Sequence, residues 1–182
     1  MIVNVVVDAN IGAGKTTLLY LLKGVKSVDH SVVSPPLEQI HSRCFITLPN
    51  SRDLYSANLY DILTNFEANP NIELIDWALQ SAKMADRLNK NDFVDIEKLS
   101  GGERIRVLIA RIIYAVKTRN YNVLLFDEID ENLNDKLAEE VCKNLREIFK
   151  DKIILYVTHN EKVKQLFEKK IFVKKGVIEE MK

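Results

Sequence analysis

The sequence predicts an α/β fold with a mainly parallel central sheet flanked by helices and with a small inserted helical subdomain. Short apolar runs, typical of parallel strands that are buried on both faces, recur along the chain. Stretches with helical periodicity alternate with these runs. A glycine-rich turn joins the first run to a helix, which is typical of a phosphate-binding loop. The predicted strands are residues 1–7, 44–48, 122–126 and 153–157.

The composition is that of a folded globular protein of 182 residues, with 47% hydrophobic and 29% charged residues. Basic and acidic side chains both number 26, so no net charge attracts the chain to nucleic acid, and we expect no direct nucleic-acid binding. No apolar run approaches the roughly 20 residues of a membrane helix, and because the sequence opens on a predicted strand we expect no signal peptide. We therefore expect a cytoplasmic protein, with Cys44 and Cys142 as reduced structural thiols.

The stretch Val5–Thr17 predicts a phosphate-binding loop and, with it, a P-loop NTPase fold. A β-branched run enters the loop and an apolar helix leaves it, as this motif requires. Gly12 and Gly14 let backbone N–H groups surround an anion, at which the helix points its positive N-terminus. Lys15 can then reach the β- and γ-phosphates, and Thr16 can place its hydroxyl on Mg²⁺. A strand-to-helix turn without a ligand is the alternative.

Between residues 54 and 88 the hydrophobic pattern becomes helical and predicts the inserted subdomain. Ser56 is expected to cap the first helix, and the second helix follows the turn at residues 69–71. The side chains predicted to face the core are Leu59, Ile62, Leu63 and Phe66 in the first helix and Ile75, Ala78, Leu79, Ala82 and Leu88 in the second.

A second glycine-rich turn, Ser100-Gly101-Gly102, opens the predicted helix 104–114. Ser100 can cap this helix, and the two glycines permit close backbone approach. The helix N-terminus then offers a second anion site. A plain helix cap is the alternative, but it explains the serine and only one glycine.

Two carboxylates, Asp127 and Glu128, follow the predicted strand 122–126, and open α/β sheets bind ligands at such strand ends. Asp127 can hold hydrated Mg²⁺, while Glu128, on the opposite side of the chain, can orient or deprotonate a water molecule. The strand 153–157 would deliver His159 to the same edge. A solvated acidic turn and a structural histidine are the alternatives.

Three further elements complete the prediction. The helix after the phosphate-binding loop is expected to end near Gly24, which can adopt the left-handed C′ conformation. A helix over residues 163–167 and a hairpin over residues 171–178 close the chain. An amphipathic helix between the last two strands carries Leu137, Val141, Leu145 and Ile148.

Taken together, these motifs resemble the ATP-binding cassette (ABC) ATPase family over nearly the whole chain. Ala9–Thr17 is similar to Walker A, Leu99–Glu103 to the family's LSGGQ/E signature, and His159 to the switch histidine. Val123–Glu128 is similar to Walker B with its catalytic glutamate. The stretch Leu54–Leu63 further resembles the Q-loop region of exporter-type cassettes.

The resemblance implies a single ABC-type ATPase domain over residues 1–182, with a helical and signature subdomain at about 52–100. It implies a head-to-tail dimer with an identical or different ABC cassette, and ATP and Mg²⁺ as cofactors. The catalytic residues would be Lys15, Glu128 and His159, and the metal ligands would be Thr16, Asn50 and Asp127. ATP would lie between Asn10, Gly12, Ala13, Gly14, Lys15, Thr16 and Thr17 of one subunit and Ser100, Gly101 and Gly102 of the other.

The chain departs from the family pattern at four points. Ala9 replaces the first Walker A glycine, Asn50 takes the place of the Q-loop glutamine, and Asn134 takes that of the D-loop aspartate unless Asp135 substitutes. We also expect the chain to lack the β-subdomain that normally precedes Walker A in the family, with its aromatic residue that stacks on adenine. We therefore expect weak discrimination between ATP and GTP.

Three functions follow from the resemblance. The first is the energising subunit of an ABC transporter with separate membrane-spanning subunits, peripheral on the cytoplasmic face of a membrane; the exporter-like stretch Leu54–Leu63 favours it. The second is a soluble ABC ATPase that acts on nucleic acid or in translation. The third is a non-hydrolysing cassette that dimerises when nucleotide binds.

Overall fold

A computed structural model of the chain describes residues 4–9, 13–26, 40–47, 54–89, 91–131, 133–174 and 177–181. The chain divides into two compact units. The first comprises Met1–Asn50 with Tyr121–Lys182, and the second is Ser51–Asn120. Within the described ranges, every helix is too short or too polar to cross a membrane.

The elements follow one another as strands and helices with short connections. In chain order they are β1 (Asn4–Ala9), α1 (Lys15–Lys23), β2 (Cys44–Ile46), β3 (Ala57–Asn58), α2 (Leu59–Thr64), α3 (Ile72–Ser81), β4 (Phe93–Val94), a 3₁₀ turn (Ile96–Lys98), α4 (Gly101–Arg119), β5 (Val123–Asp127), α5 (Asp135–Ile148), β6 (Ile153–Val157), α6 (Glu161–Lys164), β7 (Lys169–Lys174) and β8 (Val177–Met181).

The first unit is built on a six-stranded sheet with the strand order β2-β5-β6-β1-β7-β8. The first four neighbouring pairs are parallel, and β7 pairs with β8 in antiparallel orientation. The predicted α/β class with a mainly parallel sheet and the closing hairpin are confirmed. In the register, Val157 lies opposite both Val7 and Asp127, so β1, β5 and β6 end at one edge of the sheet.

Apolar strands and the helix α1 form the core around this sheet. The buried cluster consists of Val7, Leu19, Cys44, Leu125, Val157 and Val173. Burial of each large aliphatic side chain contributes about 1.5–3 kcal/mol, so the cluster holds α1 against the strand ends. The helix α1 ends at Lys23 and is capped by Gly24, whose φ is 81° and at which a Cβ atom would lie 2.5 Å from the ring of His41. The predicted end of this helix near Gly24, with the glycine in a left-handed conformation, is confirmed.

The two cysteines of the chain are free and buried in the first unit, as expected for structural thiols. Cys44 lies in β2 and Cys142 lies on the buried face of α5. Burial raises the pKa of the Cys44 thiol to about 11 and that of Cys142 to about 12. Both groups are therefore neutral side chains of the core at physiological pH.

The second unit is the helical insertion. It packs α2 and α3 against α4, beside the short antiparallel pair β3–β4. Tyr114 on α4 donates its hydroxyl proton to Glu67 (2.9 Å) and accepts the N–H of Asn71 (3.1 Å), the residue that caps α3. Tyr114 is buried while Glu67 and Asn71 are exposed, so a Tyr114 hydroxyl without a partner would be costly, and its two bonds fix how α4 aligns with the start of α3.

Several details of the predicted insertion are wrong. The helix α2 begins after Asn58, and Ser56 instead accepts the N–H of Ile96 through its hydroxyl (3.0 Å). Phe66 is 64% exposed because the chain turns into the left-handed region at Asn65 and at Phe66 itself. Leu88 lies beyond the end of α3 at Ser81.

Two other boundaries also differ from the prediction. The last helix, α6, begins at Glu161 and ends at Lys164 rather than spanning residues 163–167. Asn160 caps α6 by accepting the N–H groups of Lys162 and Val163, which moves the helix start forward. The strand β2 ends at Ile46, and Leu48 lies outside the described residues.

Candidate functional site

A cavity of about 510 Å³ lies at the edge of the first unit where β1, β5 and β6 end. Open α/β sheets bind ligands at this edge because the loops after parallel strands converge there. The lining residues are Ala13, Gly14, Lys15, Thr16, Thr17, Glu128, Glu131 and His159. All of them except Glu131 are site residues predicted from the sequence, so the structure brings these predicted side chains together.

The first wall of the cavity is the N-terminus of α1. Gly14 is the residue before this helix and has φ 103°, a conformation that favours glycine. The N–H groups of the first helical turn, where Lys15, Thr16 and Thr17 lie, have no partner within the helix and can bind an anion. Of the other predicted nucleotide and metal residues, Asn10, Gly12 and Asn50 lie outside the described residues.

Lys15, Glu128 and His159 line the cavity and lie in contact with one another. Lys15 Nζ lies 2.9 Å from His159 Nε2 and 3.6 Å from Glu128 Oε1. His159 Nε2 lies 3.2 Å from the same carboxylate oxygen and therefore accepts from Lys15 or donates to Glu128, depending on its protonation. The Lys15 side chain is only 8% exposed, whereas that of His159 is 50% exposed. The three groups can thus face a single small ligand.

The backbone of Glu128 is strained. Its φ is 49°, in the left-handed region, which costs a non-glycine residue about 1 kcal/mol. The strain is held by a hydrogen bond from the Glu128 N–H to the carbonyl of Val157 at the end of β6 (3.0 Å). This turn directs the carboxylate into the cavity directly after Asp127 has ended β5.

Asp127 is 1% exposed, and neither of its carboxylate oxygens has a hydrogen-bond partner among the described residues. Burial raises the pKa of this carboxyl group, while the neighbouring Thr16 hydroxyl lowers it. An unpaired buried carboxylate beside a hydroxyl fits Mg²⁺, which prefers oxygen ligands and is usually held by one or two carboxylates together with phosphate oxygens. The described residues contain no group of three or more acidic, histidine or cysteine side chains that could hold a metal without such help.

Thr47 supports Asp127 and was not predicted as a site residue. It follows β2, is fully buried, and accepts the backbone N–H of Asp127 through its hydroxyl (3.2 Å). This contact exists because β2 and β5 are neighbours in the sheet. No local sequence pattern marks the residue, since a threonine at the end of an apolar run is ordinary.

Replacement of Thr47 by valine should lower the free energy of unfolding by about 1–3 kcal/mol, because the buried N–H of Asp127 loses its acceptor. Urea denaturation of the purified chain measures this change. Thr118→Val, on the exposed end of α4, is the matched control and should change stability by less than about 0.5 kcal/mol. Equal stabilities of the two variants would contradict the assigned role of the hydroxyl.

A second polar chain joins the loops after β5 and β6. Thr158 donates its hydroxyl proton to Asp130 (2.5 Å) and accepts the backbone N–H of Asn160 (2.9 Å). The side-chain amide of Asn160 donates to Asp135 (3.1 Å). At the predicted D-loop position, Asn134 caps α5 by accepting the N–H of the third helical residue. Sequence reasoning did not single out Asp130 or Thr158.

The signature-like residues Ser100, Gly101 and Gly102 lie in the second unit, at the start of α4. Ser100 accepts the N–H of Glu103 (3.3 Å), and the Glu103 carboxylate accepts both the N–H (3.1 Å) and the hydroxyl (2.6 Å) of Ser100. These bonds, with an ion pair to Arg87 (3.0 Å), lower the pKa of Glu103. The predicted cap is therefore confirmed and forms a complete capping box.

A cavity of about 290 Å³ adjoins this helix start. Three basic side chains line it together with the capping residues, and a positive helix N-terminus faces the same space. The lining residues are Lys83, Arg87, Ser100, Gly102, Glu103 and Arg106. The second unit thus has a surface with three basic side chains and one carboxylate beside the glycine-rich turn, and the anion site predicted there stays a prediction.

The sequence and the fold of the chain are similar to those of known proteins. The sequence matches the family model described as ABC transporter over residues 10–131. It is 26% identical to an uncharacterized ABC transporter ATP-binding protein/permease of Acanthamoeba polyphaga mimivirus, over 96% of this chain and 35% of that protein. It is 30% identical to a lipoprotein-releasing system ATP-binding protein of Cytophaga hutchinsonii, over 92% of this chain and 82% of that protein.

A bacterial Atm1-family ABC exporter solved with ATP bound has a similar fold, with a TM-score of 0.77. The match covers 96% of this chain and 32% of the exporter chain, at 21% identity. The chain thus spans about a third of the length of the exporter and of the viral relative.

Proposed function

Because the chain belongs to the ABC transporter family as an ABC-type ATPase domain, we propose that it binds and hydrolyses Mg-ATP in a head-to-tail dimer and energises a transporter. The observation that carries the proposal is the meeting of Lys15, Glu128 and His159 in one cavity at the helix N-terminus. The partners of the chain would be an identical or different ABC cassette and membrane-spanning subunits. The cassette would then work on the cytoplasmic face of a membrane.

The phosphates would provide most of the affinity for the nucleotide. The N–H groups at the start of α1 and the ammonium group of Lys15 suit a polyphosphate. Among the described lining residues the imidazole of His159 is the one aromatic ring, and it lies beside the carboxylate of Glu128. This lining supports the expectation that ATP and GTP bind with similar affinity.

Asp127 and Thr16 would hold Mg²⁺, with Asn50 as the third predicted ligand. When bound, the ion would neutralise charge on the phosphate oxygens. The unpaired carboxylate oxygens of Asp127 support this assignment. The Thr47 hydroxyl would keep Asp127 in place by accepting its backbone N–H.

In hydrolysis, Glu128 would orient a water molecule and take its proton while the water oxygen attacks the γ-phosphorus. The bond from this phosphorus to the bridging oxygen breaks, and the products are ADP and inorganic phosphate. Lys15 and His159 would contact the γ-phosphate and stabilise the negative charge that its oxygens carry in the transition state. The strained turn at Glu128 supports a role that requires a fixed carboxylate.

A single chain would supply half of each nucleotide site. The complementary half would be the start of α4 in the second subunit, where Ser100, Gly101 and Gly102 would approach the same phosphates. The basic cavity beside Ser100 supports this assignment. Such a shared site makes activity depend on association of two chains.

The experiment that tests the proposed function is the specific rate of Mg-ATP hydrolysis as a function of protein concentration. We expect this rate to rise and then saturate, because only dimers contain complete sites. A specific rate that stays constant down to the lowest protein concentrations would contradict the shared site. Absence of turnover at every concentration would overturn hydrolysis by the chain and favour a nucleotide-dependent dimerisation module.

A further inference from the structure

Asp130 is a buried carboxylate close to the candidate site. It is 5% exposed, and one oxygen accepts the hydroxyl proton of Thr158. The other oxygen has no hydrogen-bond partner among the described residues. Burial raises the pKa of Asp130, and the bond from Thr158 opposes that shift. A half-satisfied buried carboxylate is costly, so its presence calls for an explanation beyond stability.

The hydrogen bond between Asp130 and Thr158 connects the loop after β5, which carries Glu128, to the loop after β6, which carries His159. Asp130 lies two residues after Glu128, and Thr158 immediately precedes His159. The backbone supports the same connection, because the N–H of Glu128 donates to the carbonyl of Val157 (3.0 Å). The Thr158 hydroxyl also accepts a hydrogen bond from the backbone N–H of Asn160, and this second bond holds the hydroxyl in place.

We infer that Asp130 is a positioning residue that, through Thr158, keeps Glu128 and His159 at their mutual distance. The inference rests on the proposed function, in which these two side chains act together on the γ-phosphate. Glu128 has a strained backbone, which relaxes unless the turn after it is anchored. His159 is half exposed, so its position depends on the backbone next to Thr158.

The consequence for the rate follows from geometry. A displacement of a reacting group by about 1 Å can lower a rate by about a hundredfold. Nucleotide affinity depends mainly on the helix N-terminus and Lys15, which the bond between Asp130 and Thr158 does not touch. Loss of that bond should therefore lower kcat and leave KM nearly unchanged.

A double-mutant cycle tests the inference on the full chain. Asp130→Leu and Thr158→Val each remove the bond, and each should lower kcat about 10- to 100-fold with KM within about threefold. The double variant should be no slower than the slower single variant, because the bond can be lost only once. Asp130→Asn and Thr158→Ser retain an acceptor and a donor, respectively, and should keep kcat within about fivefold of the parent chain.

Leu145→Ala is the control for loss of stability alone. Leu145 is fully buried on α5 and touches none of the site residues by hydrogen bond, so its truncation should lower the melting temperature while kcat changes less than about twofold. Multiplicative losses in the double variant, or a change confined to KM, would overturn the inference. So would failure of both single variants to fold while Leu145→Ala folds, since the bond would then serve the fold.

A measurement that does not require ATP hydrolysis tests the positioning role of Asp130 independently of the proposed function. The imidazole NMR signals of His159, assigned with His159→Gln, should shift more in Asp130→Leu than in Asp130→Asn, because both variants lose the carboxylate charge near His159 and only Asp130→Leu loses the hydrogen-bond acceptor. Equal shifts in the two variants, or no shift in either, would overturn the positioning role. If the parent chain does not hydrolyse ATP at all, the proposed function fails, but the imidazole signals still decide whether Asp130 positions His159.

Discussion

The Glu128→Gln variant is expected to hydrolyse ATP about a thousandfold more slowly than the parent chain and to accumulate as an ATP-bound dimer. Glutamine keeps the size of the side chain and the left-handed backbone at φ 49°, but it cannot take a proton from water. It also removes the carboxylate that Lys15 and His159 contact, so both groups become more available to phosphate. Steady-state hydrolysis and size-exclusion chromatography with Mg-ATP measure the two effects.

Glu139→Gln is the matched control for this substitution. Glu139 pairs with Lys143 on the surface of α5 at 3.0 Å, and its loss should leave rate and association unchanged. A Glu128→Gln chain that stays monomeric with saturating Mg-ATP and keeps full activity would show that Glu128 is not the base and that the cavity does something else.

Replacement of Lys15 by alanine should weaken Mg-ATP binding by roughly 30- to 150-fold, equivalent to about 2–3 kcal/mol. The ammonium group is almost completely buried and lies beside Glu128. Without it, the carboxylate of Glu128 remains at the phosphate site with one cation fewer to offset its charge. Isothermal titration calorimetry measures the dissociation constant directly.

Lys26→Ala separates this effect from a general change in charge. Lys26 is exposed just beyond the C-terminal end of α1, at the far end of the helix from the cavity. The Lys26→Ala substitution removes one positive charge from the same segment. Its dissociation constant for Mg-ATP should stay within about twofold of the parent value, because exposed charges are screened. Equal dissociation constants for the two variants would exclude a direct contact between Lys15 and the nucleotide.

Much of the fold and of the site follows from local sequence patterns. The strands β5 and β6 are continuous apolar runs, and such runs identify buried parallel strands without knowledge of their neighbours. Lys15 is identified by the glycine before it and the helix after it. Glu128 and His159 are identified because each follows an apolar strand, and the ends of parallel strands meet at one edge of a sheet.

The residues that sequence reasoning missed depend on which strands become neighbours. Thr47 reaches Asp127 only because β2 pairs with β5, and Asp130 reaches Thr158 only because β5 pairs with β6. No local sequence pattern predicts either strand pairing. The error at Phe66 has a different origin, since the apolar period continues past the point where the backbone leaves the helix.

The two buried cysteines make this chain a convenient one to label. With pKa values of about 11 and about 12, their reactive thiolate fraction at neutral pH is roughly one in ten thousand or less. A maleimide dye or spin probe would therefore react far faster with a cysteine introduced at an exposed position such as Lys26. The approach of two subunits could then be followed by fluorescence transfer in a protein that keeps both of its native thiols.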